Sequence, residues 1–344
     1  MFRSVGLGVV VAFLALTAVT VDGPRSGGGE RSDEKAATAS PWVPPRPAEV
    51  PRSADERREK RVLSNGCNYD NRGIPRCGAL LGAAYGSNSS PRRWERSMGR
   101  GLGVHRTYYD GTRVDAAVST AATDLRHNRV PWISFKLPYS WEDMRAGRGD
   151  AWTRQLARRM AKLGGPVWLA FHHEPEGDGD LRAWTQMQAR LAPIVRRNAP
   201  NVAYSIILTG WNQLHGNREF ALGRIWPERT KIDLVGFDVY DKYGMPTSTK
   251  KHVQHTDFER DYFPRFRDFA RRHQVAWGLS ETGQTDRSAA VNPRWLERTY
   301  QSLSRHDGVA LTYFNTRLNS SAPWRLRGAK ERAFAETLHN TPTL

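Results

Sequence analysis

From residue 79 to residue 338, short apolar runs alternate with longer amphipathic stretches, and this alternation limits the possible folds more than any other feature. Apolar runs that do not alternate with polar residues are typical of strands buried on both faces. Eight such runs predict eight strands: Ala79–Tyr85, His105–Tyr109, Val130–Lys136, Val167–His173, Val202–Leu208, Leu234–Tyr240, Ala276–Ser280 and Ala310–Phe314.

Helices are predicted between the runs, where apolar residues recur with helical spacing. Strands separated by helices indicate a parallel sheet that is covered on both faces. Eight such units in about 260 residues predict an α/β fold of the (β/α)8 TIM barrel type. A doubly wound open sheet usually has fewer strands, and no Gly-x-Gly-x-x-Gly follows the first run. The predicted helices are Asp115–Arg126, Ala151–Lys162, Leu181–Arg197, Phe258–Arg272, Pro293–Arg305 and Ala329–Leu338.

The first sixty residues have the composition of segments outside a fold. Arg3 precedes an apolar run, so residues 1–21 are predicted to be a signal peptide or, if uncleaved, an N-terminal anchor. Residues 22–62 contain a glycine triplet, a Pro-Pro-Arg-Pro stretch and a charge run, which predict a disordered linker. The (β/α)8 domain itself is predicted over residues 63–344. A secreted or extracellular location follows, with membrane contact only if the first segment is retained.

Charge and cysteine content narrow the classes of function. The chain has 52 Lys and Arg against 35 Asp and Glu, a net charge of +17, and only nine of the basic residues are lysine. An arginine excess is typical of a GC-rich genome, and it is also compatible with binding to anions. No nucleic-acid-binding motif is present, so no nucleic-acid partner is predicted. Two cysteines exclude a multi-cysteine zinc protein.

The two cysteines, Cys67 and Cys77, lie ten positions apart in a stretch rich in turn-forming residues. In an oxidising compartment they are expected to form one disulfide that closes a short loop. Two free thiols are the alternative. Such a bond would secure the start of the domain and would carry no chemistry.

Two of the predicted strands end in a glutamate. Glu174 follows the fourth run in a His-His-Glu-Pro sequence, and Glu281 follows the seventh in Ser-Glu-Thr-Gly. Barrel enzymes place catalytic groups at the C-terminal ends of strands, and strands four and seven face each other across the mouth. Two converging carboxyls with different pKa values perform glycoside hydrolysis. Either glutamate alone is equally compatible with capping a loop or pairing with an arginine.

The residues around these glutamates resemble clan A of the glycoside hydrolases, in which the acid/base follows strand four and the nucleophile follows strand seven. Most families of the clan have Asn before the acid/base. The His173-Glu174 pair, together with residues 280–283, is instead similar to glycoside hydrolase family 26. Residues 232–240 resemble the sixth strand of that family, and residues 81–86 resemble its first. The family is best known for β-mannanases and includes enzymes for mixed-linkage β-glucan and β-1,3-xylan.

The resemblance implies a retaining, endo-β-mannanase-like glycosidase that hydrolyses O-glycosyl bonds of a polysaccharide and needs no cofactor. It implies that Glu281 is the nucleophile and Glu174 the acid/base, with the carboxyl groups about 5–5.5 Å apart. Tyr240 is expected to hydrogen-bond Glu281, and His173 to hydrogen-bond the substrate or Glu174. Arg106, on the second predicted strand, either adds positive charge near Glu281 or faces outward.

The chain departs from the family pattern beside the scissile bond. Pro-Glu at residues 175–176 follows the His-Glu pair where family mannanases have Met or Leu and then Asn. The eighth run ends in Tyr-Phe-Asn at residues 313–315, where many clan A enzymes have a tryptophan platform. Aromatic rings stack on sugars, and Trp211 after the fifth run is the first candidate for such a platform, ahead of Trp226 and Trp324. These departures leave the identity of the sugar open, whereas the retaining mechanism is still expected.

Other classes of function remain compatible with the sequence. They are an inactive barrel that only binds polysaccharide, a basic protein that holds anionic wall polymers, and an enzyme for an acidic or arabinose-containing polymer. A metal site is not predicted, because adjacent histidines on a strand point to opposite faces. The expected partner is the polysaccharide, and the expected state is a monomer.

Overall fold

All eight predicted runs form strands in the computed structural model, which describes residues 61–246, 251–318 and 323–344. The strands are parallel and pair in chain order, and the eighth closes on the first. The predicted (β/α)8 TIM barrel is therefore confirmed. The strands are β1 Leu80–Tyr85, β2 Val104–Asp110, β3 Val130–Lys136, β4 Val167–Phe171, β5 Val202–Thr209, β6 Leu234–Asp238, β7 Ala276–Thr282 and β8 Gly308–Asn315.

The helices include every predicted one and several short ones that the sequence pattern did not indicate. The predicted helix over 258–272 is divided at Tyr262, because Pro264 has no N–H to donate to the preceding turn. The helices are α1 Arg92–Met98, α2 Val114–Leu125, α3 Trp141–Ala146, α4 Asp150–Ala161, α5 Leu181–Asn198, α6 Gly210–His215, α7 Leu222–Ile225, α8 Phe258–Asp261, α9 Phe263–His273, α10 Asp286–Val291, α11 Trp295–Arg305 and α12 Ala329–His339.

The predicted signal segment 1–21 lies outside the described residues, as does the predicted linker 22–62 apart from its last two residues. Among the helices of the described ranges, none combines the length and the apolar character needed to cross a membrane. The division of the chain into signal, linker and domain therefore stays a prediction.

Tryptophans fill the interior of the barrel below its mouth. Trp132 and Trp168 are fully buried, and their rings meet edge to face with centroids 5.1 Å apart. Gly236 on the facing strand makes room for Trp132, since a Cβ at this position would lie 2.8 Å from Trp132 Cζ2. A filled interior directs ligand binding to the C-terminal ends of the strands, where such barrels have their active sites.

The outward faces of the strands pack against the helices. Phe237 of β6 stacks on Phe266 of α9 with ring centroids 3.6 Å apart, and Trp277 of β7 contacts the same phenylalanine. Alternate residues of a strand point to opposite faces. Trp277 and Leu279 therefore face the helices, and Gly278 between them faces the barrel axis.

Residues 61–78 cover the N-terminal end of the barrel, opposite the mouth. Leu63 is buried among the interior residues, and Arg72 O accepts a 2.9 Å hydrogen bond from Trp168 Nε1. Cys67 and Cys77 are disulfide-bonded with their Cα atoms 5.5 Å apart, so the predicted bond is confirmed. The bond limits the conformations of this segment in the unfolded chain and thereby stabilises the fold.

A buried ion network joins the first two helices to the barrel. Arg129, which precedes β3, pairs with Glu95 of α1 at 2.6 Å and with Asp124 of α2 at 2.9 Å. His105 Nδ1 of β2 lies 2.9 Å from the second Asp124 oxygen, and all four side chains are buried. Removing one partner of such a network leaves a buried charge unpaired, at a typical cost of about 3–5 kcal/mol.

Candidate active site

One additional residue in β7 turns Glu281 toward the barrel mouth. Phe237 pairs with Leu279, but the next residue, Asp238, pairs with Glu281, so Ser280 is the additional residue. Against β8, Leu279 pairs with Leu311 and Thr282 with Tyr313, so the additional residue in β7 is present on this side as well. A β-bulge of this kind re-aims the side chains that follow it. Without it, strict alternation would place Glu281 on the helix-facing side with Leu279.

After β4, two residues with left-handed backbone conformations, rather than a bulge, change the direction in which the side chains point. His172 and Glu174 have left-handed backbones, with φ values of 47° and 50°, which residues other than glycine rarely adopt. Hydrogen bonds from neighbouring strands hold this turn, since His172 N donates to Phe135 O at 2.8 Å and Glu174 N to Ile207 O at 3.0 Å. β4 ends at Phe171, two residues before the predicted end. The turn places Glu174 at the mouth.

Glu281 is buried and surrounded by groups that stabilise a negative charge. Tyr108 Oη donates to Glu281 Oε1 and Tyr240 Oη to Oε2, each at 2.7 Å. Arg106 Nη2 lies 3.7 Å from Oε1 and is itself fully buried. Burial and the charge of Glu281 raise the pKa of both tyrosines well above the usual range, so both hydroxyls keep their protons. The hydrogen bond expected between Tyr240 and Glu281 is present.

Glu174 has the opposite environment. Burial, followed by the charges of Glu281 and Glu176, raises the pKa of Glu174 from 4.5 to about 8. Thr209 Oγ1 lies 3.4 Å from Glu174 Oε1. At neutral pH Glu174 therefore holds a proton. Two chemically identical side chains in one site therefore have different surroundings, Glu281 among hydrogen-bond donors and Glu174 beside other carboxyls.

A third carboxyl, Asp238 of β6, is buried beside Glu281, with which it pairs across the strands. It accepts a hydrogen bond from Ser280 Oγ, and its Oδ2 has no hydrogen-bond partner among the described residues. Burial, followed by the charges of Glu281 and Glu174, raises the pKa of Asp238 well above the usual range. The shift favours the neutral form of Asp238.

The two adjacent histidines have different surroundings. His173 faces the mouth, where its ring centroid lies 5.5 Å from that of Tyr108 and its buried Nδ1 has no partner among the described residues. Burial, followed by the charge of Arg106, lowers the pKa of His173 well below the usual range, so the ring is neutral. His172 Nε2 instead lies 3.0 Å from Asp178. The substrate contact expected of His173 stays a prediction.

The two glutamates open into a cleft of about 580 Å³. One wall is aromatic, because Tyr240 stacks on Trp324 with centroids 4.6 Å apart and Phe314 meets the edge of Tyr240. Lys136 at the end of β3 and Lys242 after β6 also line the cleft. An aromatic wall beside polar groups is typical of a site that binds the apolar and polar faces of a sugar.

The three candidate tryptophan platforms lie in different places. Trp324 lines the cleft. Trp211 belongs to α6 and is 54% exposed, and it is not among the residues that line the cleft. Trp226 is buried against Phe269 of α9. The structure brings Trp324 to the glutamates, and it does not bring Trp211 or Trp226 there. A sugar contact at Trp211 stays a prediction.

Tyr108 and Asp238 are site residues that the sequence analysis did not single out. A signal for both exists in the period of two residues along a strand. Tyr108 lies two positions after Arg106, and Asp238 lies two positions before Tyr240, so each shares the inward face with a residue already proposed.

Solved glycosidases have the same fold at low sequence identity. A glycoside hydrolase family 26 β-mannanase from Bacteroides ovatus matches with a TM-score of 0.54 and 15% identity over 76% of this chain and 88% of its own. A β-glycosidase from Thermosphaera aggregans matches with 0.55 and 11% over 74% and 85%. An endo-β-1,4-mannanase from Thermotoga petrophila matches with 0.51 and 11% over 76% of both chains.

The predicted resemblance to clan A and to family 26 is confirmed as a likeness of fold. No protein-family model and no curated protein matches the sequence. The fold is therefore one that glycosidases use, and the reaction has to be argued from the site itself.

Proposed function

We propose that this protein is a retaining glycoside hydrolase that cleaves β-glycosidic bonds of a polysaccharide by double displacement. One observation carries the proposal: two glutamates open into one cleft in opposite environments. Glu281 accepts two tyrosine hydrogen bonds beside a guanidinium, and Glu174 is a half-buried acid whose pKa is raised to about 8. An anionic nucleophile and a protonated acid are the pair that this reaction requires.

In the first step, a Glu281 oxygen attacks the anomeric carbon and the glycosidic C–O bond breaks. Glu174 gives its proton to the departing oxygen, so the leaving sugar is released as an alcohol. The products are a glycosyl ester on Glu281 and an ionised Glu174. Protonation of the leaving group is needed because a sugar alkoxide is a poor leaving group at neutral pH.

In the second step, ionised Glu174 takes a proton from water as that water attacks the anomeric carbon. The ester bond to Glu281 breaks, and Glu281 again becomes a carboxylate held by Tyr108 and Tyr240. Two inversions give net retention of the anomeric configuration. Both glutamates return to their starting protonation states.

A β-mannan or a related β-glycan is the first candidate substrate. The resemblance to family 26 and the mannanases among the structures with this fold support it. The aromatic wall of Phe314, Tyr240 and Trp324 supports binding of a hexose ring next to the glutamates. A polymer outside the cell would also fit the disulfide, which is typical of proteins that act in an oxidising compartment.

An acidic polysaccharide is the second candidate, and two lysines favour it. Lys136 and Lys242 line the cleft and are exposed, so their ammonium groups are available to a uronate carboxylate. Replacing both lysines with methionine separates the two candidates. Turnover of a uronate-bearing polymer should fall in that variant, whereas turnover of a neutral β-mannan should be unaffected.

Product release from a panel of polymers tests the proposed function. The panel contains β-mannan, glucomannan, mixed-linkage β-glucan, β-1,3-xylan, a polyuronate and a bacterial wall extract, and mass spectrometry identifies the oligosaccharides. Release from one polymer by the full chain, lost in Glu281→Gln, would establish a glycosidase and name its sugar. Proton NMR of the first product would show whether the anomeric configuration is retained.

The same panel tests a barrel that binds polysaccharide without cleaving it. In affinity electrophoresis, a gel that contains the polymer would then slow the wild type and Glu281→Gln to the same extent. Neither protein would release a product. Binding without cleavage would contradict the proposal that the protein hydrolyses that polymer.

A further inference from the structure

A second carboxylate stands beside the acid/base and has no part in the steps above. Glu176 lies two residues after Glu174, and both side chains face Thr209 at the end of β5. Glu176 Oε1 accepts hydrogen bonds from Thr209 N at 3.0 Å and from Gln213 Nε2, and Oε2 accepts from Thr209 Oγ1 at 3.1 Å. Three donors on one carboxyl stabilise its ionised form.

The Thr209 hydroxyl has a single proton and two carboxyl neighbours. Its oxygen lies 3.1 Å from Glu176 Oε2 and 3.4 Å from Glu174 Oε1. The proton is best donated to the nearer carboxylate, whose charge makes it the stronger acceptor. The lone pairs of Thr209 Oγ1 are then free to accept the proton that Glu174 carries.

We propose that Glu176 is a positioning residue for the acid/base: it orients the Thr209 hydroxyl so that Glu174 keeps its proton until the glycosidic oxygen takes it. This inference rests on the proposed function, because it assigns Glu174 the acid role. Pro175 between the two glutamates has a fixed φ, which limits how far they can turn from each other. In this proposal, the Pro-Glu sequence that departs from the family pattern holds the carboxylate that orients Thr209.

The charge of Glu176 favours the proton on Glu174, whereas Arg106 and a hydrogen bond donated by Thr209 to Glu174 would oppose it. The charge of Glu176 is one of the causes that raise the pKa of Glu174, after burial and after Glu281. Burial raises the pKa of Glu176 itself, and the hydrogen bonds from Thr209 and Gln213 oppose that rise. Other charged or titratable groups also line the cleft or act on the pKa of Glu174. They are Arg106, Tyr108, Tyr109, Asp110, Lys136, His173, Asp238, Tyr240, Lys242 and Glu281.

The pH profile of kcat/KM tests the role of Glu176. Its basic limb reports loss of the proton from Glu174 in the free enzyme. In Glu176→Gln the side chain keeps its size and loses its charge, so the basic limb should move to lower pH by about one unit. Asp178→Asn is the matched control, because it removes a charge from the same loop without contacting Thr209. Its basic limb should coincide with that of the wild type.

Substitutions of Thr209 test the direction of the hydrogen bond. Thr209→Ser keeps the hydroxyl and should keep the wild-type profile. Thr209→Ala removes the acceptor for the Glu174 proton, so the basic limb should move to lower pH. A move to higher pH would show that the hydroxyl donates to Glu174 instead, and it would overturn the proposed orientation.

Infrared difference spectroscopy without substrate separates this inference from the proposed function. The carbonyl stretch of protonated Glu174 is assigned by its loss in Glu174→Gln. In the wild type it should persist to about pH 8, and in Glu176→Gln it should disappear at lower pH. If the band titrates identically in both proteins, the inference fails even where hydrolysis is found. If the band shifts as expected but no polymer is cleaved, the proposed function alone fails.

Discussion

The Tyr108 hydroxyl on β2 and the Glu281 carboxylate on β7 are joined by a 2.7 Å hydrogen bond that crosses the barrel mouth. Tyr240 holds the second oxygen of the same carboxylate at the same distance. Because each oxygen accepts a hydrogen bond, the carboxylate group is held in one orientation. In the proposed reaction, one of the two bonds has to weaken when an oxygen of Glu281 attacks a sugar, so the two tyrosines would not be equivalent during that step.

Removing either hydroxyl should slow the chemistry. Hydrogen bonds to charged groups contribute about 1.5–3 kcal/mol, so Tyr108→Phe and Tyr240→Phe should each lower kcat by about 10- to 100-fold. KM should change little, because neither bond is made to the substrate. Steady-state kinetics on the polymer identified above provide the measurement. Tyr109→Phe is the control, because the Tyr109 hydroxyl contacts Thr120 on α2 rather than Glu281.

Chemical rescue with azide should separate the roles of the two glutamates. Glu281→Ala should lose activity by about 10⁴-fold or more, as is typical when a nucleophile is removed. With an activated β-glycoside, azide then takes the place of the carboxylate and gives an α-glycosyl azide. Glu174→Ala should lose about 10²- to 10⁴-fold on the polymer. In the Glu174→Ala variant, azide attacks the glycosyl ester and gives a β-glycosyl azide. If each variant gave the other product, Glu174 would be the nucleophile and Glu281 the acid/base.

The activity of the wild type should fall on the alkaline side near pH 8. The pKa of Glu174 is raised to about 8, and the first step needs the protonated form. The basic limb of kcat/KM should therefore have its midpoint near that value, measured with an uncharged substrate so that the substrate does not titrate. A basic limb close to pH 5 would mean that Glu174 is ionised at rest and cannot be the acid.

The same group should make stability depend on pH. A carboxyl whose folded pKa is raised contributes stability that is fully present below its ordinary pKa of 4.5 and is lost as the pH rises through about 8. The free energy of unfolding should therefore decline across that window. In Glu174→Gln this decline should be smaller, because the amide does not titrate. Urea unfolding at several pH values measures it, and exposed Glu219→Gln should behave as the wild type does.

The disulfide should matter for stability and not for the chemistry. Cys67 and Cys77 close a short loop at the end of the barrel opposite the cleft. Replacing both with serine should cost about 2–3 kcal/mol by the loop-closure argument. A lower Tm with unchanged kcat is the expected result. A large fall in kcat at a temperature where the variant is fully folded would connect this end of the barrel to the site.

The strands, the fold class and the position of both glutamates were predictable, because each depends on local pattern. Eight apolar runs separated by helical periods have few alternative folds, and strands four and seven carry their carboxyls at the expected ends. The additional residue in β7 and the left-handed turn at His172 were not predictable. Both exist because neighbouring strands hold the backbone in an irregular form, and no local signal marks them.

The contacts that set the protonation states were also beyond local pattern. Thr209 and Glu176 are 33 positions apart, and Tyr108 and Glu281 are 173 positions apart. The sequence supplied the side chains, but only the closure of the barrel brings them together. The period of two residues along a strand nevertheless places Tyr108 of β2 and Asp238 of β6 on the inward face.

The bulge at Ser280 has a consequence for anyone who builds barrels from idealised strands. In an ideal β7, Leu279 and Glu281 would both point toward the helical layer, and the carboxylate would be buried against apolar side chains. Regular strand geometry is therefore incompatible with this position of the Glu281 carboxyl. A designer who transfers the Ser-Glu-Thr-Gly sequence to another scaffold must transfer the irregular backbone with it, since the bulge is what turns the glutamate side chain toward the cleft.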